Sequence, residues 1–189
     1  MTKKELRTLY KEKRTPVSLP DMHSQIALML RHFQEIPLGS LSYLLSFKAS
    51  TAKLEVPVHF FENFCMDENH DLVICYPKAD FKQLSMEIFE DNENLAWETI
   101  SNGIEQPQSG DKVAPLLIDC VLVPLLAFDE RGYRVGYGKG FYDRFLPSLR
   151  PGVTTVGVSY FEAVPLISDT NEYDVPLTYC VTPQRLYVF

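Results

Sequence analysis

Apolar positions along the chain follow two rhythms. Between residues 2 and 14 they repeat as on a helix, with Leu6, Leu9 and Tyr10 forming one face and no glycine or proline before Pro16. At about 100° per residue, Lys3, Arg7 and Arg14 fall within roughly 40° of one another beside that face, so one side can dock while the other presents cations. A second helix is expected from Ser18, where SLPD has the S-x-x-[DE] capping form; Ile26, Met29, Leu30 and Phe33 make its buried stripe, and Pro37 and Gly39 end it. The rhythm then changes. LSYLLSF (41–47) reads as a strand, 55–63 as a helix and DLVICYP (71–77) as a second strand, an order that implies a right-handed crossover and a parallel pair.

Residues 84–101 alternate as a hairpin turning at 91–94 would, whereas the polar, proline-bearing IEQPQSGDKVAP (104–115) reads as a surface loop. IDCVLVP is a buried strand leading through LLAFDERG to RVGYGKGFYDR (134–144), after which come a short helix stopped by Pro147, a strand at TTVGVSY and two extended runs around YCVT and RLYVF. No internal repeat is visible. The order predicts a single α/β domain over residues 1–189, three-layered, with a mainly parallel central sheet and flanking helices.

Charge sharpens this picture. The net charge of −7 opposes a phosphate backbone over most of the surface and argues against a nucleic-acid partner, yet Lys3, Lys4, Arg7, Lys11, Lys13 and Arg14 crowd the first fourteen residues. The longest uncharged apolar run, CVLVPLLAF, is far short of the ~20 residues that span a bilayer, and the start lacks an apolar signal core. Cys65, Cys75, Cys120 and Cys180 form no C-x-x-C pair, and the last three lie in apolar runs, as reduced, buried thiols of a cytoplasmic protein would.

The stretch 134–144 carries the candidate chemistry. Gly136, Gly138 and Gly140 let backbone N–H groups approach an anion, Lys139 can neutralise part of its charge, and the following helix start adds favourable partial charge. It matches neither common phosphate template. Gly132 and Gly138 enclose five residues where a P-loop has four, Gly140 follows Lys139 in place of Ser or Thr, and the glycines read G-x-G-x-G. A plain strand-to-helix turn therefore stays open beside a phosphate cradle. Polar neighbours cluster around it: Asp129, Arg131 and Arg134 before, Tyr142, Asp143 and Arg144 after, with Asp143 able to serve magnesium or simply the helix dipole.

The longer string AFDERGYRVGYGKGFYDRFL resembles the signature of the 5-formyltetrahydrofolate cyclo-ligase family, through Phe128, Asp129, Gly132, Arg134, Gly136, Gly138, Gly140, Phe141, Tyr142 and Asp143. Weaker correspondences lie at Lys3 and Arg7, at Glu55, at CYPK (75–78), at GIEQP (103–107) and at YDVPLTYCVTP (173–183). The resemblance implies an ATP- and Mg²⁺-dependent closure of 5-formyltetrahydrofolate to 5,10-methenyltetrahydrofolate by a cytoplasmic monomer, with no membrane or nucleic-acid partner. It implies that Lys3, Lys4 and Arg7 hold nucleotide phosphates, that the segment from Arg134 to Tyr142 wraps the triphosphate, and that Lys139 with Arg134 assists phosphoryl transfer. Asp143 and Asp174 would bind magnesium, Glu55 would contact the folate, and Tyr137 to Phe141 would line the junction of formyl group and phosphate. Tyr173, Thr178, Gln106 and Tyr137 depart from residues common in the family.

Other candidates read more plainly. His23, His32, His59 and His70 lack ligand spacing. Trp97 and the pair Phe60 and Phe61 read as core, with stacking on a pterin the lesser alternative for Trp97. Two competing functions are a folate- or nucleotide-binding relative without turnover and a sugar-phosphate isomerase or CoA-transferase relative that needs no ATP.

Overall fold

The computed structural model describes residues 1–14, 19–100 and 103–189. Among them are helices α1 (Lys3–Arg14), α2 (Leu19–Phe33), α3 (His59–Glu68) and α4 (Phe141–Phe145). The strands are β1 (Tyr43–Leu45), β2 (Val73–Asp80), β3 (Ser85–Glu90), β4 (Ala96–Ile100), β5 (Ile104–Ser109), β6 (Cys120–Val123), β7 (Ala127–Phe128), β8 (Arg134–Val135), β9 (Thr154–Val158), β10 (Tyr179–Val181) and β11 (Leu186–Val188). Seven of these form one sheet in the order β11-β10-β9-β6-β1-β2-β3. Its five central strands are parallel, and β11 and β3 close the ends antiparallel to β10 and β2.

Burial of both sheet faces explains the unbroken apolar runs. All four residues of β6 are buried. Cys120 and Leu122 join Met29 and Phe33 of α2 and Phe61 and Cys65 of α3, whereas Val121 and Val123 join Phe145 of α4 with Leu146 and Leu177 on the opposite face. This is the expected three-layer α/β arrangement. A third cluster docks Leu6 and Tyr10 of α1 against Leu126, Ala127, Val135 and Ile167 around the β7–β8 hairpin. The start of α1 is held by a capping box: Thr2 N donates to Glu5 Oε2 at 2.8 Å and Glu5 N to Thr2 Oγ1 at 3.3 Å.

Three expectations are corrected. The strands within 84–101 exist but do not pair with each other; β3 pairs with β2, and β4 with β5. Residues 104–109 are therefore a strand and not a loop; in this separate two-stranded ribbon Pro107 sits opposite Trp97, with the register irregular next to it. The helix placed at 55–63 begins at His59, because Leu54 takes a left-handed conformation (φ 49°) and Pro57 disfavours helix in the residue before it. The cap assigned to Ser18 lies outside the described residues.

The connections fix where a ligand can enter. From β1 the chain passes through α3 to β2 on one side; from the adjacent β6 it passes through α4 to β9 on the other. Where neighbouring parallel strands send their connections in opposite directions, a crevice opens beyond their carboxyl ends.

Candidate functional site

A cavity of about 500 Å³ lies at that switch point, a size common for small-molecule sites. Phe47, Lys48 and Ser50 reach it from the end of β1, Tyr76 and Pro77 from β2, and Pro124 from the end of β6. The glycine segment and α1 wall one end, and the β4–β5 ribbon supplies Trp97, Gln106 and Pro107 at the other. Of the residues singled out from the sequence, Lys3, Arg7, Glu55, Arg134, Gly136, Tyr137, Gly138, Lys139, Gly140, Phe141, Tyr142, Asp143 and Asp174 all line this cavity. Lys4 does not: it is exposed on another face of α1, among Thr2, Glu5, Thr8, Leu9 and Glu12.

The glycine segment is a tight turn between β8 and α4. Gly140 caps α4 with φ 67°, and Gly138 has φ 101°, both in the left-handed region that disfavours side chains. A Cβ at Gly140 would also come within 3.0 Å of Arg144 Nη1, which donates to the carbonyls of Lys139 at 2.7 Å and Gly140 at 3.1 Å. From the opposite wall, Arg7 Nε donates to the Gly136 carbonyl at 2.9 Å. Lys139 is exposed and makes no ion pair among the described residues. The loop is thus held through its carbonyls.

Charge at this end comes in two pairs. Arg134 Nη2 donates to Asp143 Oδ1 at 2.9 Å, and its Nη1 to the Val175 carbonyl at 2.5 Å; burial pulls the guanidinium below its usual range, and Asp143 opposes that. Lys3 Nζ lies 2.5 Å from Asp174 Oδ1 and 2.6 Å from Oδ2. Both recorded contacts of Asp143 use Oδ1. Two carboxylates beside the glycine turn, without a third His, Cys, Asp or Glu grouped with them among the described residues, fit magnesium better than zinc.

The same segment carries a second hydrogen-bonded group, and aromatic rings line the wall beyond it. Tyr137 OH donates to Glu55 Oε1 at 2.5 Å and accepts from Arg14 Nη1 at 3.0 Å, while Glu55 Oε2 accepts from Ser50 N at 2.7 Å. Burial, then the Glu55 charge, push the Tyr137 phenol up, so it stays a donor. Lys53 Nζ sits 4.6 Å from the centre of the Tyr137 ring. Trp97 packs on the core and also lines the cavity, edge-on to Tyr76 at 5.0 Å, so its role is wider than core packing. Phe81 and Phe141 make a similar edge contact at 5.1 Å. Two buried polar atoms on the wall, Ser50 Oγ and Tyr142 OH, have no partner among the described residues.

Several sequence candidates resolve elsewhere. Asp129 is fully buried and organises the β7–β8 turn, accepting from the backbone of Arg131, Tyr133 and Ile167 and from the Arg131 side chain. Phe61 is buried as expected, but Phe60 is half-buried against the His59 ring. All four cysteines are free and buried. Tyr173 is 76% exposed, and Thr178 bonds Thr155 on the sheet, so neither departure from the family pattern lines the cavity. Gln106 does line it, bonding Glu98 at 2.9 Å and the Ala79 amide at 3.2 Å. Sequence reading missed Arg14's part in the site, although its position on the Lys3–Arg7 stripe was the available signal; Lys48, Lys53 and Phe81 carried none.

Known proteins share this fold. The NMR structure of Aquifex aeolicus 5,10-methenyltetrahydrofolate synthetase is 26% identical, with a TM-score of 0.73 over 100% of this chain and 93% of that one. The fold is also that of the 5,10-methenyltetrahydrofolate synthetase from Mycoplasma pneumoniae, 24% identical with a TM-score of 0.74 over 96% and 98% of the two chains. Curated relatives named 5-formyltetrahydrofolate cyclo-ligase include those of Mycoplasma genitalium, 35% identical over 74 residues (39% of this chain, 45% of the relative), and Escherichia coli K12, 39% identical over 72 residues (37% and 39%). The matched stretches span less than half the length of these curated relatives. Membership does not depend on them: the sequence profile of the 5-formyltetrahydrofolate cyclo-ligase family matches residues 1–183, and the chain belongs to that family.

Proposed function

We propose that the protein closes 5-formyltetrahydrofolate to 5,10-methenyltetrahydrofolate at the expense of ATP. The observation that carries this reading is one cavity with two unlike ends, a cationic glycine segment that carries Tyr137 and its partner Glu55, and an aromatic wall that contains Tyr76 and Trp97. The N5-formyl group is an amide, so its carbon is a poor electrophile and its oxygen a poor leaving group. Transfer of the terminal phosphoryl group of ATP to that oxygen gives an imidate-like phosphate and ADP. The N10 amine attacks the carbon, loses its proton, and inorganic phosphate departs to leave the cyclic amidinium. Such chemistry asks the protein for alignment and charge neutralisation above all.

Each part of the chain has a task in this scheme. Lys3 and Arg7 face the phosphates from α1, and backbone groups from Gly136 to Phe141 border the triphosphate. Lys139, which makes no ion pair among the described residues, meets the charge on the phosphoryl group in transit, assisted by Arg134. Asp143 and Asp174 would hold Mg²⁺, which when bound supplies further neutralisation of phosphate charge. Glu55 and Tyr137 orient the folate. Free, buried thiols suit a reducing cytoplasm, and walls drawn from residues 3 to 174 of one chain suit a monomer formed as one domain.

Purified protein with ATP, Mg²⁺ and 5-formyltetrahydrofolate is expected to build the near-ultraviolet absorption of the methenyl product. No absorption at ample enzyme would overturn the reading; tight folate binding in that case would select a binding protein without turnover, and product formed without ATP would select different chemistry.

A further inference from the structure

We infer that Glu62 is a positioning residue for the aromatic end of the cavity, acting through Ser46 and Tyr76 on the wall that contains Trp97. The inference rests on the proposed folate site. Glu62 lies in the first turn of α3, outside the cavity, and is 6% exposed. Its Oε2 accepts from Tyr76 OH at 3.1 Å and its Oε1 from Ser46 Oγ. Both donors are buried, one at the end of β1 and one in β2. A carboxylate in this place carries a large desolvation cost that a packed apolar side chain would avoid, so the fold alone does not call for it.

What the carboxylate gains is control of one aromatic ring from two sides. Tyr76, anchored by its hydroxyl, meets the Trp97 ring edge-on at 5.0 Å and an angle of 64°. Two residues beyond Ser46, Lys48 places its ammonium 5.0 Å from the centre of the same ring. Phe47, between them, lines the cavity with Lys48, Tyr76 and Trp97. Burial pushes the Glu62 carboxyl up, while the Ser46 and Tyr76 hydroxyls and then the charges of His59 and Lys48 pull it back towards ionisation. Glu62 is thus the common fastening of the end of β1 and the middle of β2, whose side chains frame a flat ring, the shape that an aromatic heterocycle stacks on.

Trp97 is the chain's sole tryptophan, so its fluorescence reports on this wall alone. Glu62→Gln is expected to raise KM and Kd for 5-formyltetrahydrofolate about tenfold, the usual worth of a hydrogen bond to a charged group, with KM for ATP and kcat within about twofold. Acrylamide quenching of ligand-free Trp97 should rise. Tyr76→Phe, which keeps the ring and removes the tether, should give the same folate-specific loss, and the double variant should be no worse than the larger single one. Folate affinity unchanged in both variants, or ATP and folate affinity falling in parallel, overturns the inference. Wild-type protein that fails to bind 5-formyltetrahydrofolate overturns the cyclo-ligase reading itself, and this inference with it.

Discussion

Lys3 Nζ spans the two oxygens of Asp174 at 2.5 and 2.6 Å, tying the first turn of α1 to a loop 171 residues later. Both side chains are mostly buried, so removing one partner would leave the other charge poorly solvated. It also holds together two groups that the proposed reaction needs apart, a cation for phosphate and a carboxylate for magnesium. Lys3→Gln is expected to weaken ATP binding by about tenfold or more while leaving folate binding within about twofold. Calorimetric titration of each ligand checks this, and equal losses for both would contradict it.

Among the described residues Lys139 has no such partner. Its charge is available to a phosphoryl group in transit, where stabilisation is worth most, so Lys139→Ala should lower kcat by about 10² to 10³. Folate Kd should stay within about twofold. Steady-state kinetics set beside folate calorimetry separates the two effects.

Arg14, Tyr137 and Glu55 form a chain of hydrogen bonds in which Tyr137 both accepts and donates. Tyr137→Phe removes both bonds and leaves the buried Arg14 short of an acceptor, at an expected cost of about 1–3 kcal/mol in stability. Folate KM should rise with it. Thermal denaturation and kinetics on the one variant test both statements, and a variant as stable as wild type would show the chain to be slack.

The cysteines give a prediction about pH. Burial pushes Cys65 and Cys75 up to about 12 and raises Cys120 and Cys180 as well, so thiolate is scarce in the folded protein at pH 8. Iodoacetamide should label none of the four until denaturant is added, as read by mass spectrometry. The folded state holds these protons more tightly than the unfolded chain, whose thiols titrate near 9.0. Their contribution to stability is therefore complete below that value and is lost as pH rises towards about 12. Urea melts on either side of pH 9 should show the decline.

The central sheet was legible because its strands are buried on both faces: the runs around Leu44, Ile74 and Val121 have no other home. The glycine turn was legible from composition. The β4–β5 ribbon was not. Pro107 argues against a strand at β5, and a nearby acidic turn at 91–94 offered a hairpin between β3 and β4 that the equally local β2–β3 hairpin displaced. Glu62 was invisible for a related reason. Nothing in ENFCMDE distinguishes it from a solvated acid, since what buries it is the meeting of α3 with Ser46 and Tyr76.

Helix α1 begins at Lys3 and ends at Arg14, and those two residues hold different side chains of the cavity wall, Asp174 and Tyr137. Eleven steps at 1.5 Å each set them about 16 Å apart along a rod that cannot stretch. The helix therefore works as a calliper between Asp174 and Tyr137. Its outward residues, such as Lys4, Thr8 and Glu12, can vary in kind at little cost, but its length cannot change by one residue without swinging Arg14 about 100° away from Tyr137.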